Sequence, residues 1–238
     1  MIRDSSYPVF ECALEYQRLG FSVIPLIPKT KRAAISWERY QTIRPHEQEI
    51  RKWFEKAQNV NGVAIVTGKV SGLIELDIDD EAARAYFHDI VEKINDDEIN
   101  LKIKNTAKIK TGSGNLNYIF AISAADFVGE KIRTSTLWRG KQGHNEITLK
   151  GDGGYAVAPP SEHPSGNQYE LADGNLSPAL LAKQQLMQLV AALKKKGKRK
   201  PSSTRESNTS LTPDISDKQI TYIVSLLKPY YHLGSRNT

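Results

Sequence analysis

The segment at residues 73–80, Leu-Ile-Glu-Leu-Asp-Ile-Asp-Asp, has the residue types and spacing best suited to chemistry. Glu75, Asp77 and Asp79 alternate in it with aliphatic residues. Side chains of a β-strand point alternately to opposite faces, so these acids share one face, about 7 Å apart per step at a rise of ~3.3 Å per residue. Carboxylates this close repel each other, and a divalent cation with oxygen ligands would relieve the repulsion. The alternative is an edge strand whose acidic face is simply solvated.

The composition predicts a soluble globular protein without a membrane span. The chain has 238 residues, of which 39% are hydrophobic and 25% charged, enough for one large domain or a domain with an appendage. It contains no apolar run of transmembrane length, and its start lacks the pattern of a signal peptide. Cys12 is the single cysteine, so no internal disulfide forms, and its place in a helical pattern predicts burial. A cytoplasmic location is therefore expected.

The net charge of +6 comes from one short stretch. Residues 194–200 contain six lysines and arginines and no acid, while the remaining 27 basic residues balance 27 acidic ones. The stretch either binds phosphates or is a solvated linker, and the sequence leaves both open.

Hydrophobic periodicity predicts a mixed α/β or α+β domain. Helices are expected at 8–19, 45–56, 81–94 and 180–196, with Asp79 or Asp80 capping the third of these. Strands are expected at 21–26, 62–68, 73–80, 107–111, 117–122, 146–149 and 154–158. Pro25 predicts an edge strand or the end of a strand. The strands at 107–111 and 117–122 are expected to pair around a glycine-containing turn, as are those at 146–149 and 154–158.

Several motifs occur in a specific order, each weak by itself. They are Ala-Leu-Glu-Tyr-Gln-Arg-Leu-Gly-Phe-Ser-Val-Ile-Pro-Leu (13–26), Gly-Val-Ala-Ile-Val-Thr-Gly (62–68), Leu-Asp-Ile-Asp (76–79), Lys-Thr-Gly-Ser-Gly (110–114), Gly-Asp-Gly-Gly-Tyr-Ala-Val-Ala-Pro-Pro-Ser-Glu-His-Pro-Ser-Gly (151–166) and Tyr169-Glu170. Together they resemble the Prim-Pol domain of bifunctional DNA primase/polymerases, in the archaeo-eukaryotic primase superfamily. The resemblance covers residues 10–171, and residues 226–237 resemble the start of the helical region that follows such domains in archaeal or plasmid replication proteins.

The resemblance implies an archaeo-eukaryotic primase fold, with a catalytic sheet like that of the RNA-recognition fold, a smaller N-terminal α/β unit and C-terminal helices. The expected organisation is a Prim-Pol catalytic domain at 1–175, a trailing helix at 176–195, a basic and polar linker at 196–212, and the start of a helical primase region at 213–238. The chain would then be an N-terminal fragment, with a helicase-like module further on as a candidate partner.

The implied activity is template-dependent transfer of nucleotides from NTP or dNTP onto a 3′-hydroxyl, on a single-stranded DNA template with or without a primer. Mg²⁺ or Mn²⁺ would be the cofactor. Asp77 and Asp79 match the family's Asp-x-Asp or Asp-x-Glu metal-binding motif. The third carboxylate position aligns with Thr148, which is uncharged. Glu146, two residues earlier on the same strand face, would complete the metal-binding and catalytic set through a local slip, with Glu75 as a fallback.

The remaining site residues follow from the other motifs. Asn117 stands where the family has a histidine near the triphosphate, and asparagine donates hydrogen bonds but carries no positive charge. The other expected nucleotide-binding residues are Lys110, Ser113, Gly114, Ser161 and His163. The residues expected to contact nucleic acid are Lys31, Arg32, Trp138 and Arg139. For the basic and loop residues the alternative is an ordinary solvated surface.

Asn117 and Thr148 also favour a second hypothesis, in which a catalytically weakened domain binds DNA as an initiation module for replication. A metal-dependent nuclease is a third possibility, disfavoured by the motif block at 151–166. The sequence leaves open the choice of ribo- or deoxynucleotides, the need for a primer, the oligomeric state and any template preference.

Overall fold

A computed structural model of the chain describes residues 7–56, 60–127, 131–140, 146–174 and 176–194. The predicted linker at 196–212 and the helical region at 213–238 lie outside the described residues. The α-helices are α1 (Tyr7–Arg18), α2 (Glu47–Lys56), α3 (Glu81–Ile94), α4 (Asp97–Asn105) and α5 (Lys183–Leu193). The strands are β1 (Val23–Leu26), β2 (Gly62–Val66), β3 (Leu73–Ile78), β4 (Ala107–Lys110), β5 (Leu116–Ala121), β6 (Ser135–Arg139), β7 (Glu146–Lys150), β8 (Tyr155–Ala158), β9 (Glu170–Leu171) and β10 (Ala179–Leu180). The prediction of a mixed α/β fold is confirmed.

A small antiparallel sheet with the order β1-β2-β8 forms the N-terminal unit. Helices α1 and α2 pack on it through an apolar core that includes Leu14, Ile24 and Ile65. Pro25 lies in β1 at the edge of this sheet, as predicted, where its missing N–H costs no ladder hydrogen bond. Cys12 is buried in the same core, as its helical pattern indicates.

The larger sheet has the order β6-β7-β3-β5-β4-β9, with β10 parallel to β5. Helices α3, α4 and α5 cover one face, where Ile74, Leu76 and Ile78 pack in a buried apolar cluster. The opposite face turns toward the small sheet, since Ile109 and Ile119 belong to the same core as β2. Strand β3 is hydrogen-bonded to β5 on one side and β7 on the other. The alternative of a solvated edge strand is therefore wrong.

The predicted pairing of strands 146–149 and 154–158 is also wrong. Strand β7 pairs with β3 and β6 in the large sheet, whereas β8 pairs with β2 in the small one. The glycine turn at 151–154 therefore carries the chain from one sheet to the other instead of closing a hairpin. Gly68 allows this crossing, since its φ is +89° and a Cβ there would lie 2.8 Å from the backbone of Asp152.

Candidate active site

Glu75, Asp77 and Asp79 form a row of carboxylates, the acidic row, on the face of β3 that points away from the three covering helices. Glu75 is fully buried, and the side chain of Asp77 is 14% exposed. Asp79 follows directly after the strand and is half-buried. The strand interior thus holds the first two carboxylates rigidly, and the third stands at the open end.

Strand β7 supplies a second row beside the first. Cross-strand partners share one face of a sheet, and the register sets Lys150 opposite Glu75 and Thr148 opposite Asp77. The backbone N–H of Asp79 donates to the carbonyl of Glu146 at 3.2 Å, which extends the same pairing by one step. Glu146 therefore lies beside Asp79 in the existing register, and the predicted local slip of β7 is unnecessary.

Lys150 is a member of the site that sequence reasoning missed. Its Nζ lies 3.0 Å from Glu75 Oε2 and 2.6 Å from Asp77 Oδ2. The signal was present, since Glu146, Thr148 and Lys150 alternate along one strand and so share a face. Whether this face of β7 lies beside the acidic row depends on the pairing of β7 with β3. The sequence of one strand does not show which strand it pairs with.

Asn117 is built into the same cluster. Its Nδ2 donates to Glu75 Oε1 at 2.9 Å, and its Oδ1 accepts from the backbone N–H of Ile78 at 3.3 Å. The side chain is buried on β5, next to β3. Its expected contact with a triphosphate stays a prediction, and these bonds favour a role in holding Glu75 instead.

The charges of the row perturb one another. Burial raises the pKa of the Glu75 carboxyl, and the Lys150 ammonium opposes that rise. Burial also acts to raise the pKa of Asp77, but Lys150 together with Lys31 and Asn117 outweighs it and brings this pKa below its ordinary value. Burial and the carboxylate of Asp77 raise the pKa of Asp79 to about 6, with a further contribution from Glu146. The open end of the row is thus where negative charge is least compensated.

A hard divalent cation fits that open end chemically. Asp77, Asp79 and Glu146 offer oxygen ligands on one face, and an ion there would relieve the repulsion that Asp77 and Glu146 exert on the carboxylate of Asp79. Among the described residues, no three His, Cys, Asp or Glu side chains converge closely enough to form a ready cage. Lys150 on Asp77 and Arg139 on Glu146 occupy those carboxylates instead, the latter with Nε 2.6 Å from Oε1.

The raised pKa of Asp79 makes the stability of the metal-free protein depend on pH. In the unfolded chain this carboxyl has its ordinary pKa of 3.8, so between there and about pH 6 the folded state binds more protons. The contribution of Asp79 to the free energy of unfolding is therefore greatest at low pH and is lost as the pH rises through about 6. We expect Asp79→Asn to remove this decline in urea unfolding with EDTA present. Equal pH slopes in both proteins would contradict the assignment.

The glycine-rich turn at 112–115 stands next to the row. The side chain of Asn115 donates to the backbone carbonyl of Asp79, and the Ser113 hydroxyl is 2.8 Å from that of Thr111. Gly114 is exposed at the tip with a φ of +89°. The turn that carries Ser113 and Gly114 thus lies at the open end of the row.

His163 is brought to the same turn. A Cβ on Gly112 would lie 2.3 Å from the Cβ of His163, so only glycine allows this approach. The ring Nδ1 is 2.9 Å from the hydroxyl of Ser165, which donates to the carbonyl of Gly112. Burial and the nearby Lys31 ammonium lower the pKa of His163. The ring is therefore predominantly neutral near pH 7 and offers hydrogen bonds rather than charge.

Lys31 lies on the loop that faces the row from the small sheet. Its side chain is exposed, and its charge acts on the carboxyls of Asp77 and Asp79 as well as on His163. Arg32, next to it, is also exposed, and its backbone carbonyl accepts from the N–H of Ile27. The loop therefore presents positive charge at the open end of the site.

The structure does not bring Lys110 to the acidic row. Lys110 pairs with Leu116 across the hairpin and so faces the helical side of the sheet, opposite Asn117. Its Nζ lies 4.0 Å from a carboxylate oxygen of Glu170.

Trp138 also lies away from the row. It is in β6 rather than in the predicted loop, and its ring stacks on Tyr86 of α3 with centroids 4.6 Å apart. A β-bulge between Thr136 and Trp138 turns the ring toward the helices. Arg139, by contrast, reaches the site through Glu146.

The hydroxyl of Ser161 makes its hydrogen bonds within the fold. Its hydroxyl accepts from the N–H of Val63 at 2.8 Å and donates to the carbonyl of the same residue at 2.9 Å. The side chain is buried. Its predicted contact with a nucleotide stays a prediction, and the contacts favour a role in tying the loop after β8 to β2.

Ser161→Ala tests this role. The change leaves buried polar groups of Val63 without a partner, so we expect the free energy of unfolding to fall by about 1–3 kcal/mol. The KM for nucleotide should not change. Denaturant unfolding and nucleotide titration measure the two effects, with the exposed Ser36→Ala as the control. A raised KM at unchanged stability would restore the nucleotide-binding interpretation.

The family comparison agrees with this geometry. The sequence model of the family described as "Bifunctional DNA primase/polymerase, N-terminal" matches residues 13–184, which include every strand of both sheets and the whole acidic row. The matched stretch is more than half of the 238 residues, so the chain belongs to this family, the Prim-Pol family. A comparison with curated proteins gave no match.

Proposed function

We propose that the chain is a template-dependent nucleotidyltransferase that makes or extends primers on single-stranded DNA from NTP or dNTP. The family assignment supports the general activity. The observation that carries the proposal for this chain is the register of β3 against β7. It sets Glu146 beside the Asp77–Asp79 pair on one face, so a third carboxylate is present although Thr148 occupies the aligned position.

In this proposal Asp77, Asp79 and Glu146 hold Mg²⁺ or Mn²⁺. Bound there, the ion supplies Lewis acidity toward the α-phosphate and neutralises charge that develops on the leaving pyrophosphate. A primer 3′-hydroxyl forms the new P–O bond as the bond between the α- and β-phosphates breaks. The hydroxyl proton passes to solvent water, and pyrophosphate carries away the bonding electron pair.

The chain's own residues position the nucleotide. The exposed tip of the turn, formed by Ser113 and Gly114, is suited to the anionic triphosphate through the Ser113 hydroxyl, and Lys31 adds positive charge from the facing loop. His163, fixed against Gly112, offers a neutral hydrogen-bonding group at the same end. Arg139 neutralises Glu146 before an ion arrives, and its release leaves a guanidinium for template phosphates.

A second candidate is a DNA-binding initiation module with little catalysis. Two observations favour this candidate: Lys150 already neutralises part of the acidic row, and the side chain of Asn117 is hydrogen-bonded within the fold.

No helix in the described residues is long and apolar enough to cross a membrane.

The two candidates differ in one experiment on the full chain. Single-stranded template is incubated with labelled NTP or dNTP and Mn²⁺ or Mg²⁺, with and without a primer, and template binding is followed in parallel by fluorescence anisotropy. Incorporation supports the nucleotidyltransferase, and unprimed products identify primer synthesis. Template binding without any product in either metal would overturn the first candidate in favour of the second.

A further inference from the structure

The ammonium of Lys150 stands between two carboxylates of the acidic row. It reaches Glu75 and Asp77 at 3.0 and 2.6 Å, and its side chain is only 19% exposed. Glu75 is 0% exposed, and its other oxygen receives the hydrogen bond from Asn117. Both oxygens of the innermost carboxylate therefore already have partners from the protein.

A divalent cation at this inner end would meet unfavourable conditions. It would approach within a few ångströms of an ammonium, and like charges at that distance in a partly buried site repel strongly. It would also have to displace the contacts of Lys150 and Asn117 with Glu75. At the open end the repulsion is weaker, because Asp79 is half-buried and the charges of Lys31 and Lys150 act on its carboxyl less than burial and the carboxylate of Asp77 do. An ion there would displace Lys150 from Asp77 and Arg139 from Glu146, but both contacts of Glu75 would stay in place.

We propose that Lys150 is an internal counter-ion that excludes divalent cations from the Glu75 end of the row and confines them to the Asp77–Asp79 end. The inference rests on the proposed function only in assuming that the row binds a divalent cation. It assigns Glu75 a positioning role rather than that of a ligand. It also limits the nucleotide-free protein to one tightly bound ion on this face.

The test is Mn²⁺ binding to the metal-depleted full chain without nucleotide, followed by electron paramagnetic resonance. We expect one Mn²⁺ for the natural protein and for Lys150→Arg, which keeps the positive charge. Lys150→Met should bind a second Mn²⁺, since Glu75 and Asp77 are then uncompensated. It should also show a larger rise in Tm on adding Mn²⁺ than the natural protein. Lys150→Met/Glu75→Gln should return to one ion.

Glu75→Gln gives an independent readout that does not depend on the folding of Lys150→Met. Glutamine retains an acceptor for Asn117, so we expect the Mn²⁺ affinity to stay within about twofold, while Asp79→Asn lowers it at least about tenfold. A tenfold loss in Glu75→Gln, two ions in the natural protein, or a single ion in folded Lys150→Met would overturn the inference. If neither the natural protein nor any variant binds Mn²⁺, the failure lies in the proposed metal site itself.

Discussion

Asp77→Asn is expected to lower the rate of nucleotide incorporation at least about a hundredfold, since changes to groups that merely support metal ligands already cost about 10–100-fold. Asparagine has nearly the shape of aspartate, but it offers one neutral oxygen in place of a carboxylate. Asp77 lies in the middle of the acidic row, between Glu75 and Asp79, and so adds to the negative charge at the open end. The rate is measured by primer extension in Mn²⁺ and in Mg²⁺.

Asp80→Asn is the matched control for this change. Asp80 lies next to the row but caps α3, where its side chain accepts from the N–H of Ala83 at 2.8 Å. Asparagine caps helices about as well as aspartate, so activity and stability should be nearly unchanged. Equal losses in both variants would show that general negative charge near the turn matters, rather than the carboxylate on the strand face.

Glu75→Ala is expected to have the largest effect on stability. Glu75 is fully buried and ion-paired to Lys150, and removing one partner of a buried pair typically costs about 3–5 kcal/mol because the other charge is left uncompensated. Since Lys150 keeps Asp77 as a partner and is partly exposed, we expect the lower part of that range. Urea unfolding measures the change.

Glu92→Ala in α3 is the control for the loss of a carboxylate as such. Glu92 is exposed, so its replacement should change the free energy of unfolding by no more than about 0.5 kcal/mol. A Glu75 variant no less stable than this control would show that the buried cluster contributes nothing to the fold.

The sequence predicted the elements whose signal is local. Period-two alternation identified the acidic face of β3, and Asp80, one of the two residues considered, caps the following helix. Gly20, which has a positive φ, ends α1 as expected. In each case the physical cause lies within a few residues of its effect.

Long-range pairing was not accessible in this way. Strands β7 and β8 are joined by a short turn, yet they lie in different sheets, because each finds its hydrogen-bonding partners far along the chain. Helix α4 was missed although Asp96 caps it through the N–H groups of Glu98 and Ile99. Its nine residues are too few for a clear periodic signal.

The same difference between local signals and long-range pairing applies to the candidate site. Asp77 and Asp79 could be selected from spacing and resemblance, but the places of Glu146 and Lys150 depend on the register between two strands about 70 residues apart. Trp138 was predicted to contact nucleic acid from its residue type, whereas a bulge in β6 directs its ring onto Tyr86. Residue type suggested chemistry, and strand pairing decided which side chains meet.

The central claim is tested most directly by primer extension with the natural protein and the Asp77→Asn/Asp79→Asn double variant, with template binding measured on both. The account predicts metal-dependent incorporation by the natural protein. It predicts none by the double variant, which should still bind template. Incorporation that survives in the double variant, or a natural protein that incorporates nothing in Mn²⁺ or Mg²⁺ while binding template, would contradict it.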